Sequence, residues 1–198
     1  MIKKLIIYVT LSILLTANAY AVSAKDIIKQ LDTIKSYTAN FTQFTEIEGF
    51  GEDEYSGKMY INSGEKAYWN YEKPYRQFYL FDTNTMKYYD SDTRQLVVQT
   101  LTPATNVFMR LMLNPADIEN DFDVKLKGNE LILTPRNDLG VETISFIVVD
   151  GLVKGIRTKD QNGNNTRIEM SNVVSGEKLR DDIFDPEIPE GTEIFEYN

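Results

Sequence analysis

Tyr55-Ser56-Gly57-Lys58-Met59-Tyr60-Ile61-Asn62-Ser63-Gly64-Glu65-Lys66-Ala67-Tyr68-Trp69-Asn70-Tyr71 is the stretch whose reading decides the fold. Its side chains repeat with a period of two. Tyr55, Gly57, Met59 and Ile61 alternate with Ser56, Lys58, Tyr60 and Asn62, and Ala67, Trp69 and Tyr71 alternate with Tyr68 and Asn70. That is the period of a strand, and Ser63-Gly64 between the two runs is turn chemistry. Upstream, Tyr37, Ala39 and Phe41 alternate with Thr38, Asn40 and Thr42 in the same way. Downstream, further strands are expected over 77–81, 86–89, 95–101, 122–127, 131–134, 144–149, 153–158 and 166–173. Gly128-Asn129, Asp150-Gly151 and Asn162-Gly163 fall between runs as hairpin turns. Strands this closely spaced, without helices between them, predict one continuous antiparallel sheet.

Two segments break the period. Ser23 followed three residues later by Asp26 is a short capping box, and Ile27, Ile28, Leu31 and Ile34 follow at helical spacing, which predicts an amphipathic helix over 24–35. Between Pro103 and Pro115, the residues Phe108, Met109, Leu111, Met112 and Leu113 carry more apolar surface than one face of a short helix can bury. A helix that is greasy on more than one side is expected there. Its methionines, with Met59, offer flexible, polarizable surface.

The ends and the composition bound the compartment. Lys3-Lys4, the apolar run from Leu5 to Leu15 and Ala19-Tyr20-Ala21 have the order of a secretory signal peptide. The run is too short to favour a retained membrane helix, which takes about 20 residues. The expectation is a signal peptide over 1–21, removed after Ala21, with Val22-Ser23-Ala24 as a second candidate site, and a single domain over 22–198. The chain has no cysteine, so neither a disulfide framework nor a lipidated N-terminal cysteine is expected. Loss of Lys3 and Lys4 with the signal takes the net charge from −9 to −11, 19 basic side chains against 30 acidic. Such a surface repels nucleic acid and anionic membranes. No nucleic-acid partner is expected.

Catalytic chemistry finds little footing. The absence of histidine excludes Ser-His-Asp, Cys-His and histidine-based metal systems. Ser63-Gly64-Glu65-Lys66 and Ser175-Gly176-Glu177-Lys178 match a Ser-x-x-Lys pattern, but both contain glycine, fall in turns and lack the companion motifs of serine acyl enzymes. Asp160-Gln161-Asn162-Gly163-Asn164-Asn165 resembles a calcium loop only superficially. Asn165 stands where that loop needs glycine, and Ser171 where it needs glutamate. A hairpin turn is the better reading. No cofactor, no metal and no enzymatic activity are expected; a carboxylate-based enzyme would need a pair of acids that nothing singles out. The aromatic residues gathered in 55–89 suit either an ordinary packed core or the lining of a ligand cavity.

The ordered set of motifs is more specific than any one of them. A short helix leads into Ser36-Tyr37-Thr38-Ala39-Asn40-Phe41-Thr42-Gln43, then Gly57-x-Met59-x-Ile61, and then Trp69-Asn70-Tyr71-Glu72-Lys73-Pro74. Phe81-Asp82, Tyr88-Tyr89-Asp90, the apolar 108–113 segment, and Phe184 through Pro189-Glu190-Gly191-Thr192 follow. This order resembles the LolA family of periplasmic outer-membrane lipoprotein carriers across the mature chain. The resemblance implies a mainly β fold with short helices, an incomplete antiparallel β-barrel whose hydrophobic cavity lies under a helical lid. It implies that Phe41, Met59, Ile61, Ala67, Trp69, Tyr71 and Tyr79 line the acyl-chain cavity from the sheet, and Phe108, Met109, Leu111 and Met112 from the lid. It also implies three partners: acylated lipoproteins as cargo, a lipoprotein-releasing ABC transporter of the inner membrane as donor, and an outer-membrane lipoprotein as acceptor. A monomer is expected. Members carry a lid-closing arginine where this chain has Ser63, and a bulky apolar residue where it has Ala67, so latching of the lid is expected to differ. The alternative is a lipid-binding sensor of envelope stress on the same scaffold, which would usually need a second domain.

Export with cleavage predicts that protein recovered from the periplasm starts at Val22 on N-terminal sequencing. An intact Met1 would contradict it.

Overall fold

The computed structural model describes residues 22–101, 111 and 115–197. Helix α1 (Ala24–Asp32) opens this part of the chain. Ser23 caps it reciprocally with Asp26: the Ser23 hydroxyl accepts from the Asp26 N–H at 3.3 Å, and the Asp26 carboxylate accepts from the Ser23 N–H at 2.9 Å. The helix stops three residues before the expected end. The Thr33 hydroxyl and N–H both donate back to the Gln30 carbonyl, and the chain then turns into the sheet.

The strands are β1 (Ser36–Ile47), β2 (Gly51–Asn62), β3 (Lys66–Lys73), β4 (Gln77–Phe81), β5 (Thr85–Asp90) and β6 (Gln95–Thr100). After a short helical passage (Pro115–Asp117, then α2, Ile118–Asp121) come β7 (Phe122–Lys127), β8 (Glu130–Pro135), β9 (Val141–Val149), β10 (Leu152–Asp160), β11 (Asn165–Ser175) and β12 (Glu193–Tyr197). All belong to one twelve-stranded sheet in the order β12-β6-β5-β4-β3-β2-β1-β11-β10-β9-β8-β7. The eleven expected strands are present, and both Ser-x-x-Lys copies fall in turns or just past a strand. The expected hairpin at Asp150-Gly151 has positive φ at both residues, 51° and 75°, as a two-residue turn of this kind requires.

The expectation of a wholly antiparallel sheet needs one correction. β12, which the alternation did not announce, pairs parallel with β6. A parallel pair requires a crossover, and the chain after β11 supplies it along the outer face of the sheet. Leu179, Ile183, Phe184 and Ile188 of this strap pack on Tyr68, Phe78, Leu80, Tyr89 and Leu96. Strands β3–β6 therefore bury apolar side chains on both faces, which accounts for the aromatics on successive positions such as 68–69 and 78–79.

The sheet is curled and unclosed. Its edge strands, β12 and β7, do not pair with each other. β4 and β9 stand six places apart in the order, about 28 Å if the sheet were flat, yet side chains from both line one cavity. Gly57 marks a place where the bend is built. It faces Phe41 on β1 and Tyr71 on β3, beside a register shift at Ser56/Gly57. With no side chain between them, the rings of Phe41 and Tyr71 meet edge to face with centroids 4.9 Å apart, although their strands are not neighbours.

A Cβ on Gly57 would lie 2.0 Å from the Asn70 carbonyl oxygen and 2.8 Å from Tyr71 Cα, both backbone atoms that cannot swing aside. Gly57→Ala is expected to destabilise the fold by about 1–3 kcal/mol, lowering Tm by roughly 3–10 °C for a chain of this size. A melt indistinguishable from that of the parent would show that the bend does not depend on this glycine.

Candidate functional site

The register lays the inner face out in rows, each two residues and therefore about 6.7 Å from the next. Nearest α1 runs Phe81–Ala67–Ile61–Tyr37, and beside it Tyr79–Trp69–Met59–Ala39. A third row runs Gln77–Tyr71–Gly57–Phe41–Met170, and a fourth Tyr55–Gln43–Ile168–Ile156–Phe146. The last row, at the end away from α1, is Thr45–Thr166–Thr158–Ile144. Polarity thus rises from one end of the groove to the other.

Two cavities occupy this face. The smaller, about 60 Å³, lies beneath α1 between Leu31, Ile34, Tyr37, Ile61, Leu111 and Ile118, with Ser63 at its margin. The larger, about 390 Å³, lies between Trp69, Tyr71, Tyr79 and Phe81 on one wall and Ile156, Thr158, Thr166 and Ile168 on the other. That volume falls in the usual range of small-molecule sites, about 300–1,000 Å³. The aromatic wall is built of rings braced on one another. Phe41 meets Trp69 at 6.1 Å, Tyr71 meets Tyr79 at 6.1 Å, and Tyr79 stacks on Tyr88 at 4.6 Å. Each such contact contributes about 0.5–1.5 kcal/mol beyond simple burial, so the groove resists collapse into a filled core.

The residues expected at the site can now be placed. Phe41, Met59, Ile61, Ala67, Trp69 and Tyr71 are buried on the inner face, and Tyr79 is half-buried there. Trp69, Tyr71 and Tyr79 border the larger cavity and Ile61 the smaller, whereas Met59, at 0% exposure, is packed behind them. Leu111, helical and buried, covers the smaller cavity together with Ile118. Phe108, Met109 and Met112 lie outside the described residues. Sequence reading missed the other wall, Ile156, Thr158, Thr166 and Ile168. Their strands were foreseen, but alternation does not reveal which distant strand a curled sheet brings opposite. The 160–165 loop is a hairpin turn, with the Asp160 carboxylate accepting from the N–H groups of Asn162 and Asn164 at 2.8 and 2.9 Å.

An apolar, aromatic-walled groove in an open, curled sheet is the geometry of a container. The family model described as outer membrane lipoprotein carrier protein LolA matches residues 32–187. The chain belongs to the LolA family. A relative from Chromohalobacter salexigens, an outer-membrane lipoprotein carrier protein, is 29% identical over 93% of this chain and 92% of its own. Another carrier protein, from Alcanivorax borkumensis, is 25% identical over 98% of both chains. Among solved structures, an uncharacterized conserved protein from Thermus thermophilus covers 87% of this chain and 98% of its own, at TM-score 0.59 and 13% identity. A LolA superfamily protein from Nitrosomonas europaea, at TM-score 0.50 and 16% identity, covers 83% of this chain and 98% of its own. The fold extends to MucB, at TM-score 0.51 and 13% identity; this chain covers 63% of the MucB chain and the match 86% of this one. The LolA name fits a non-catalytic binding protein with lipoprotein cargo and with this open β-sheet.

Tyr37 and Tyr71 carry buried hydroxyls in the LolA groove, and their surroundings hold them neutral. Burial raises the phenols of Tyr37 and Tyr71 well above the usual 10.0, with neighbouring Tyr79 and Tyr55 adding to the effect at Tyr71. The Tyr71 hydroxyl donates to Gln43 Oε1 at 2.9 Å, and that of Tyr37 to the Val153 carbonyl and to Met170 Sδ. A raised folded-state pKa contributes stability that is complete below the unfolded value and is lost as pH rises. Thermal stability is therefore expected to fall steadily above about pH 10, with a phenolate absorbance fraction that appears only on unfolding. Complete titration of all tyrosines near pH 10 in folded protein would contradict this placement.

Proposed function

We propose that this protein is a periplasmic carrier that binds the acyl chains of lipoproteins and shuttles them from the inner to the outer membrane. The observation that carries the reading is the apolar, aromatic-walled groove of the curled sheet in a chain of a lipoprotein-carrier family. The acyl-chain site is assigned to Phe41, Ile61, Ala67, Trp69, Tyr71 and Tyr79, with Met59 behind them. Leu111 and the neighbouring Phe108, Met109 and Met112 belong to the lid. The mature form is a single monomeric domain starting at Val22. Its cargo comes from a lipoprotein-releasing ABC transporter and passes to an outer-membrane acceptor lipoprotein. Ser63, at the margin of the smaller cavity, stands where the family resemblance implies an arginine, so latching of the lid differs here.

Energetics favour hand-to-hand transfer. Burying an acyl chain is worth about 0.8 kcal/mol per CH₂, so an anchor of a few dozen methylenes gains roughly 30 kcal/mol over water. Non-covalent affinities saturate near about 20 kcal/mol. A carrier must pass its cargo directly between apolar sites and must not enclose it fully, and an unclosed sheet satisfies both requirements. A sensor on the same scaffold has less support, because the carrier proteins match over nearly their whole length.

Trp69 is the single tryptophan of the chain and borders the larger cavity. A synthetic tripalmitoylated lipopeptide is expected to change its fluorescence at stoichiometric amounts. Trp69→Glu, shown to be folded by circular dichroism and a cooperative melt, is expected to lose most of that binding, since an unpaired carboxylate is costly to desolvate beside acyl chains. A folded variant that retains the lipopeptide at the parent level would remove Trp69 from the site.

A further inference from the structure

The outer face of the sheet carries a concavity of its own, on the half that the strap over β3–β6 leaves uncovered. Ile156 and Ile168 point into the groove, so their neighbours Arg157 and Arg167 point the other way. Register sets Phe44, Arg167, Arg157 and Ser145 in one row across β1, β11, β10 and β9, with Glu46 and Lys159 in the row beside it. These residues line a depression of about 380 Å³, bounded by Glu52 on β2 and Glu130 on β8. Arg157 and Arg167 stand directly opposite each other, an arrangement that repels unless an anion lies between them. Each guanidinium has five N–H groups, and each engages one carboxylate through Nη1: Glu130 for Arg157, at 3.4 Å, and Glu169 for Arg167. Their remaining N–H groups have no protein partner among the described residues. Arg167 is steadied over the Phe44 ring, 4.1 Å from its centroid. Ser145, next to Arg157, is only 8% exposed, yet among the described residues its hydroxyl has no hydrogen-bond partner. A hydroxyl so placed is costly to leave unsatisfied, and an acceptor seated in the depression would satisfy it.

We infer that Arg157, Arg167 and Ser145 form a binding site for a carboxylate of a partner protein, in a segment where basic side chains flank that carboxylate. The two guanidiniums and the hydroxyl take the carboxylate, and Glu46, Glu52 and Glu130 take the flanking cations. The order of charge across the strands, negative at both sides and positive at the centre, selects a protein. An anionic membrane or a nucleic acid presents negative charge throughout, which the flanking carboxylates and the net −11 of the mature chain repel. The exposed pairs to Glu130 and Glu169 are weak and exchange readily, so they hold the guanidiniums in place without blocking them. The site lies on the opposite face of the sheet from the groove, so a partner can dock while the groove is loaded. The inference goes beyond the acyl-carrier reading and stands without it.

The test uses the mature protein labelled with nitrogen-15 and two peptides blocked at both ends, Lys-Lys-Glu-Lys-Lys and Lys-Lys-Gln-Lys-Lys, titrated at low salt. The glutamate peptide is expected to shift the amide signals of Phe44, Ser145, Arg157 and Arg167, and to bind about fivefold more tightly than the glutamine peptide. Attraction to the overall charge alone gives the reverse order, because the glutamine peptide carries one more net positive charge. The double variant Arg157→Gln, Arg167→Gln, verified by its melt, is expected to lose the preference. It is expected to bind the tripalmitoylated lipopeptide at the parent level, since neither arginine lines the groove. Equal or tighter binding of the glutamine peptide, absence of binding by either, or a preference that survives in the double variant would overturn the site. Binding of the parent but not the double variant to phosphatidylglycerol vesicles would also overturn it, in favour of a lipid surface.

Discussion

The bend of the sheet at Gly57 is the constraint on which the rest depends. A flat twelve-stranded sheet would have no inside, and Trp69 and Ile156 would never face a common space. The missing Cβ lets β1 and β3 lean together until Phe41 and Tyr71 touch across the strand between them. Register shifts at Thr38/Asn40 and on β10 add to the curl. Once the sheet is curled, the rings on its inner face brace one another and keep the groove from filling. The outer face needs a different solution, and the strap through Phe184 provides it by packing on β3–β6.

A container of this kind must be stable without being complete. Most small domains satisfy apolar residues by closing them into one core. Among the described residues, the inner face keeps a cavity of about 60 Å³ between Leu31, Ile34 and Leu111 and a larger one of about 390 Å³ between Trp69, Tyr71 and Tyr79 and Ile156, Thr158 and Ile168. Stability is shared with the outer core, which takes no part in lining the groove. That division lets the inner face stay underfilled, and an underfilled face can accept a ligand whose burial releases more free energy than a finished binding site could tolerate.

Much of this was legible in the residues, and the parts that were not share a cause. Period-two alternation marked eleven strands, and Ser23 with Asp26 marked the start of α1, because those signals are local. The inward placement of Trp69, Tyr71 and Tyr79 followed from the same alternation together with the family resemblance. β12 escaped because its pairing with β6 is parallel and non-local, and because Ile194, Phe195 and Tyr197 are all exposed and carry no inside-outside pattern. The opposite wall of the cavity escaped for a related reason: only the curvature brings Thr158 and Thr166 across from Tyr79. The surplus of aromatics on both faces of β3–β5 was visible, but its explanation, a second core under the strap, needed the path of the chain.

The account centres on acylated protein as the occupant of the groove, and the most direct measurement is to look for it. The protein should be purified from the periplasm of its native cell without detergent and analysed intact by mass spectrometry. The account predicts complexes in which one carrier chain holds one lipoprotein, with the acyl-modified N-terminal peptide recovered after proteolysis. Protein recovered empty while its own lipoproteins are being made, or bound only to free phospholipid or fatty acid, would contradict it.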